Sequence, residues 1–204
     1  MKIQENPGKK PSLNSFLHGQ LPNVSVKEAL HPFSTLIDVR TAEEYQQGAI
    51  PSSLNHPLFD NLERSTIGTL YRQVGKDAAI RRGTSLFAPQ LSNFLSSLRP
   101  LKSKLLTIYC ARGGMRSKSV TRLLESEGFR VQQLEGGYKS YRRHVLEFLK
   151  DYRPPLTVLH GRTGVGKTLL IRSLPNSLDL EDLAQHRSSI FGAVHLQPRT
   201  QKNF

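Results

Sequence analysis

The sequence predicts an α/β fold: a mostly parallel sheet with helices on both faces, followed by the start of a second α/β domain built on a phosphate-binding loop. Three observations carry this reading. Apolar runs of strand length alternate with helix-like stretches, which implies parallel strands joined by crossover helices. Two of those runs, Leu105–Tyr109 and Leu156–His160, feed directly into glycine-rich turns that open helices. Between them stands Arg153-Pro154-Pro155, where two prolines stop the preceding helix and stiffen the link. The chain thus divides into an N-terminal arm (1–20), a first domain (21–150) and an incomplete second domain (151–204).

The elements follow in order. Residues 1–20 are polar and read as a flexible arm. Ser25 and Glu28 have the spacing of a capping box and open a short helix. Thr35–Val39 is a buried-type strand, and Thr41 with Glu44 repeats the capping-box spacing straight after it. Residues 51–83 show no strong period and contain Gly68, Gly75 and Gly83, so loops with short helices are expected there. Phe87, Leu91, Phe94, Leu95 and Leu98 form a helical stripe. Leu105–Tyr109 is a strand, Ser117–Glu127 a helix ended by Gly128, and Phe129–Leu134 a short strand. Tyr138–Lys150 is a helix with Tyr141, Val145, Leu146 and Leu149 on its apolar side.

Composition narrows the function classes. Of the 204 residues, 37% are hydrophobic, enough for a core. The single cysteine excludes an internal disulfide and fits a reducing, cytoplasmic setting. No apolar stretch follows the N-terminus, so no signal peptide is expected, and no run approaches the roughly 20 residues a membrane helix needs. The formal net charge of +13 suggests a polyanionic partner. Basic residues gather between Arg112 and Arg122 and between Lys139 and Arg143, where Tyr138 and Tyr141 are placed to stack on bases or to pack. The seven histidines show no ligand spacing, so no metal site is expected from them.

Two motifs carry chemistry. Cys110 opens the loop Cys110-Ala111-Arg112-Gly113-Gly114-Met115-Arg116-Ser117. A thiol at a strand end, on a glycine-rich turn before a helix, meets backbone N–H groups and the positive end of the helix dipole. Arg112 and Arg116 add full charges, and all of these favour the nucleophilic thiolate. Cys110 is the candidate catalytic residue, with Arg112, Gly113, Gly114, Met115, Arg116 and Ser117 as its donor-binding loop. The second motif is Gly161-Arg162-Thr163-Gly164-Val165-Gly166-Lys167-Thr168, a complete P-loop pattern between a strand and a helix. Its glycines let the backbone wrap a phosphate, Lys167 supplies a charge, and the Thr168 hydroxyl can hold Mg²⁺. Only 36 residues follow Thr168, fewer than a P-loop domain needs, so a gene fragment or frameshifted product is expected.

From these residues alone, three classes stay open. One is a generic sulfurtransferase using Cys110. Another is a phosphatase using Cys110 and Arg116, which bracket five residues. The third is a non-catalytic fragment. The flanking words favour a more specific reading. Asp38-Val39-Arg40, Glu44-Tyr45, Gly48-Ala49-Ile50-Pro51, the cysteine loop and Gly136-Gly137 together resemble a rhodanese domain. With Arg112-Gly113-Gly114-Met115-Arg116-Ser117, Leu134 to Arg143, the P-loop and Leu180 to Arg187, the chain resembles the tRNA 2-selenouridine synthases. That resemblance implies a rhodanese-like domain followed by a P-loop domain. It implies a transferase that replaces sulfur by selenium in the wobble 2-thiouridine of tRNA, through a geranylated intermediate. The substrates implied are selenophosphate and geranyl diphosphate, with no tightly bound cofactor. Cys110 would carry the chalcogen, the Arg112–Ser117 loop would hold selenophosphate, and the P-loop would hold a diphosphate.

Overall fold

The computed structural model describes residues 22–187 and 190–199, so the expected arm lies outside the described residues. The elements are β1 (Asn23–Val24), α1 (Val26–Ala29), β2 (Ser34–Asp38), α2 (Ala42–Gln46), β3 (Leu54–Asn55), α3 (Asn61–Gln73), α4 (Lys76–Phe87), α5 (Leu91–Leu98), β4 (Leu105–Tyr109), α6 (Met115–Ser126), β5 (Arg130–Leu134), α7 (Gly137–Asp151), α8 (Lys167–Ser173) and α9 (Leu180–Ala184). The chain separates into two compact units, residues up to Leu146 and residues from Glu147.

The first unit is a parallel sheet in the order β1-β5-β4-β2-β3. Strand alternation sorts the side chains onto two faces. Ile37, Val39, Leu106, Ile108 and Cys110 share one face with Phe94 and Leu98 of α5 and Val120 and Leu124 of α6. Leu36, Tyr109 and Leu134 share the other with Ala29 of α1 and Tyr138 of α7. The expected helices on both faces are therefore present. Leu106, Ile108, Leu98 and Leu124 are each 0% exposed, and each such burial stabilises the fold by about 1.5–3 kcal/mol.

Local signals hold where they were strongest. Both expected capping boxes form: Ser25 with Glu28, and Thr41 with Glu44. The loops with short helices expected over residues 51–83 are instead largely two full helices, α3 and α4, the second running on to Phe87. Asp60 and Glu63 make a third capping box at the start of α3. Gly75 takes φ +120° as the cap that opens α4, so it separates two helices without disordering either. Gly83 lies inside α4 because a Cβ there would meet the Phe59 ring at 3.3 Å. The stripe from Phe87 to Leu98 is also divided: Phe87 ends α4, and a 3-10 turn, Ala88–Gln90, carries Pro89 before α5.

In the second unit the expected strand Leu156–His160 has no strand pairing. Leu156, Val158 and Leu159 are exposed, Val158 by 82%. An apolar run becomes a strand only when a neighbour supplies the ladder, and no described residue does. The helix after the glycine turn does form as α8, and Asp179 caps α9 through the Glu181 and Asp182 N–H groups. No helix among the described residues is long and apolar enough to cross a membrane.

Candidate active site

The strands deliver their last residues to one edge. Asp38 pairs with both Asn55 and Tyr109, and Ile108 with Gln133. One residue beyond β4 stands Cys110, 3% exposed, on the same face as Ile108. Its Sγ lies 3.2 Å from the Ser117 hydroxyl of α6. Gly113 takes φ +63°, which turns the loop back toward α6. Gly114 caps α6 without a side-chain hydrogen bond, so the cap residue leaves the first N–H groups of that 12-residue helix without a side-chain acceptor of its own. An uncapped helix start with an adjacent thiol is an anion-binding arrangement.

The other side of the loop is fixed by α7. The Tyr138 N–H donates to the Cys110 carbonyl at 2.9 Å, and the Lys139 N–H to the Ala111 carbonyl at 3.0 Å. This approach requires Gly137, with φ +59°: a Cβ there would stand 2.2 Å from the Cys110 carbonyl oxygen. Below the loop, Asp38 and Arg40 form a buried pair, with Nη2 2.6 Å from Oδ2. Nη2 also donates to the Gly48 carbonyl at 2.7 Å, and the guanidinium lies 4.1 Å from the Tyr138 ring centre. Burial opposes the Arg40 charge, but the hydrogen bonds and charge of Asp38 prevail and raise its pKa. Tyr109, buried, donates to or accepts from Ser53 at 2.8 Å and accepts the Ile50 N–H. Burial, reinforced by the Asp38 charge, pushes its phenol well above the ordinary value. The tyrosines of α7 pack: Tyr138 is buried and stacks on Tyr141 with ring centres 6.1 Å apart.

The sequence-expected loop residues fall into distinct places. Arg112 is exposed, and Met115 and Arg116 are half-buried. Arg116 is engaged by Glu44 of α2, with Nη1 2.7 Å from Oε2 and Nη2 3.4 Å from Oε1. Arg64 of α3 approaches the same carboxylate at 3.9 Å. Burial works to raise the Glu44 pKa, but the Arg116 bond and charge, the Thr41 N–H and Arg64 together lower it. Ser117 is fully buried and faces the thiol from beneath. Glu44 and Gln133 are the residues at the site for which the sequence gives no site role; Glu44 enters the sequence reading as a capping residue and in the Glu44-Tyr45 pair of the rhodanese resemblance.

In the second unit, Gly166 takes a left-handed conformation and Lys167 opens α8. The Lys167 ammonium donates to the Gly161 and Arg162 carbonyls at 2.8 and 2.7 Å, closing over its own loop. Gly161, Arg162, Thr163, Gly164, Val165 and Thr168 are exposed. No group of three His, Cys, Asp or Glu side chains suited to a metal occurs among the described residues.

Comparison with known proteins agrees with this geometry. Residues 23–144 match the rhodanese-like domain, and residues 154–204 match the tRNA 2-selenouridine synthase AAA domain. A tRNA 2-selenouridine synthase from Photobacterium profundum is 38% identical over 175 residues, covering 83% of this chain and 48% of that protein. One from Hydrogenovibrio crunogenus is 40% identical over 182 residues, covering 83% and 50%. The chain thus spans about half the length of the curated relatives it matches. A solved structure, the N-terminal domain of a putative ATP/GTP binding protein from Clostridium difficile 630, superposes with a TM-score of 0.58 at 41% identity, covering 60% of this chain and 98% of that one. The chain belongs to the rhodanese-like domain family, and behind that domain residues 154–204 match the tRNA 2-selenouridine synthase AAA domain.

Proposed function

We propose that this chain acts in tRNA 2-selenouridine synthesis, with Cys110 as the nucleophile that handles the selenium donor. The observation that carries the proposal is the buried thiol beside the uncapped start of α6, in a chain whose relatives bear that name. The partner is tRNA with a wobble 2-thiouridine, in keeping with the net charge of +13. The setting is cytoplasmic. In the second unit, Lys167 and the P-loop hold the diphosphate of the prenyl donor.

Electron balance decides how Cys110 acts. Selenium in selenophosphate is at the selenide level. Moving it onto the cysteine as an S–Se bond would leave the electron pair on phosphorus and release phosphite. Attack at phosphorus needs no such reduction: an S–P bond forms, the P–Se bond breaks, and selenium leaves with its electron pair as selenide. Water then cleaves the S–P bond, giving phosphate and the free thiolate. Selenide displaces the prenylated sulfur at uridine C2 as a thiol. In this reading the Arg112–Ser117 loop binds the phosphoryl group, and Glu44 steadies the Arg116 guanidinium at the rim by holding both of its Nη groups.

Release of phosphate from selenophosphate by the 204-residue chain tests this directly. Cys110→Ser, nearly the same shape but a far weaker nucleophile, should abolish release while leaving the melting curve unchanged. Equal turnover by the serine variant would sink the proposal. Faster turnover of an aryl phosphate than of selenophosphate would move the chain into the phosphatase class.

A further inference from the structure

The structure holds a buried hydrogen-bond relay under the thiol that the loop motif does not announce. Gln133 of β5 is 5% exposed, and Ser117 is 0% exposed. The Gln133 Nε2 donates to the Ser117 hydroxyl at 3.0 Å and to the Gly113 carbonyl at 2.7 Å. Both amide hydrogens are thereby committed to the cysteine loop. The Ser117 hydroxyl reaches the Gly114 carbonyl at 3.2 Å and the Cys110 Sγ at 3.2 Å. The Ser117 carbonyl accepts from Thr121 Oγ1 at 2.9 Å, which fixes the serine on the helix.

A serine hydroxyl has one hydrogen and two lone pairs. Gln133 fills one lone pair, so the single hydrogen has two acceptors at equal distance. When the sulfur carries its proton, the S–H donates to the second lone pair and the hydroxyl hydrogen goes to the Gly114 carbonyl. When the sulfur is a thiolate, the hydroxyl hydrogen rotates to the sulfur. The hydroxyl thus follows the charge on Cys110 without movement of the backbone.

We propose that Gln133 is a positioning residue that aims the Ser117 hydroxyl at Cys110 and so stabilises the anionic sulfur. This rests on the reading that Cys110 reacts as an anion. Gln133 acts in two ways. Its N–H on the serine oxygen polarises the hydroxyl and strengthens it as a donor. Its other N–H holds the Gly113 carbonyl beside it and away from the sulfur.

The test uses the full chain and needs neither donor nor tRNA. Iodoacetamide alkylation of the single cysteine is followed against pH, beside a melting curve for each variant. Ser117→Ala should raise the alkylation midpoint by about one unit, the scale of one hydrogen bond to a charged atom. Gln133→Met keeps the shape and removes both donors, and should raise it by roughly half as much. Gln133→Glu should raise it furthest, because a carboxylate draws the serine hydrogen to itself and repels the thiolate. An unchanged midpoint in folded Gln133→Met would overturn the proposal, as would an unchanged midpoint in Ser117→Ala. Should the glutamate variant not fold, the methionine variant decides alone. Normal midpoint shifts in a chain that releases no phosphate from selenophosphate would count against the proposed function and leave the relay standing.

Discussion

Gly137→Ala tests how α7 is seated on the cysteine loop. The added Cβ would lie 2.2 Å from the Cys110 carbonyl oxygen, 2.5 Å from the Gly113 nitrogen and 3.0 Å from the Arg112 nitrogen. All three are backbone atoms, so no rotamer change relieves the overlap. Ordinary contact distances require the first turn of α7 to retreat by about 1 Å. That retreat breaks the Tyr138 bond to the Cys110 carbonyl and the Lys139 bond to the Ala111 carbonyl, now 2.9 and 3.0 Å. Each is worth about 1 kcal/mol net. The left-handed φ of +59° adds about 1–2 kcal/mol for a residue with a Cβ. The sum is about 3–4 kcal/mol, or a Tm lower by roughly 10–15 °C for a domain of this size. Gly114→Ala is the control, since its φ is −90° and nothing lies within 4 Å of the added atom. Thermal unfolding of the three chains by circular dichroism measures the difference. A Gly137→Ala chain melting within about 3 °C of the natural one would refute the claim that α7 closes backbone to backbone on the loop.

Two further predictions rest on the ion pairs. Glu44 has a lowered pKa when folded, so its stabilisation is full above the unfolded carboxylate value and is lost as pH falls through the folded one. The natural chain should therefore exceed Glu44→Gln by about 1 kcal/mol at neutral pH, because the pair is half-exposed; urea unfolding should show the two converging below about pH 4, and a constant gap down to low pH would sink the idea. Arg40→Met leaves the fully buried Asp38 carboxylate unpaired, which should cost about 3–5 kcal/mol; adding Asp38→Asn should recover a large part, and strictly additive losses in a double-mutant cycle would show that the two are not coupled.

Much of the fold was legible because its signals are local. The Ser25–Glu28 and Thr41–Glu44 boxes place donor and acceptor three residues apart, and both form. Asp60 and Glu63 have the same spacing, so the start of α3 was readable too. What hid α3 and α4 was the reading of Gly68, Gly75 and Gly83 as breakers. The spacing of a glycine says nothing of what faces its missing Cβ, and at Gly83 that is the Phe59 ring, 24 residues away in the chain. The run Leu156–His160 erred in the opposite direction. Its composition suits a strand, but composition cannot provide a neighbour with free N–H and C=O groups.

The site divides along the same line. Cys110, the glycine turn and the helix behind it are contiguous, so the candidate site could be read from eight consecutive residues. The groups that decide how those residues act come from elsewhere. Glu44 reaches Arg116 across 72 positions, and Gln133 reaches Ser117 across 16. Neither signals its partner in sequence: Glu44 is already accounted for by the capping box and the Glu44-Tyr45 pair, and Gln133 sits in a strand where a polar side chain reads as solvent-facing. The parallel register brings Gln133 level with Ile108, two residues before Cys110. The folded sheet therefore converts one loop motif into two different environments for its two polar side chains. Arg116 is held at the carboxylate of α2, and Ser117 is buried beneath the sulfur. A reading of the motif alone assigns both to the donor, and only the sheet register and the packing of α2 separate their roles.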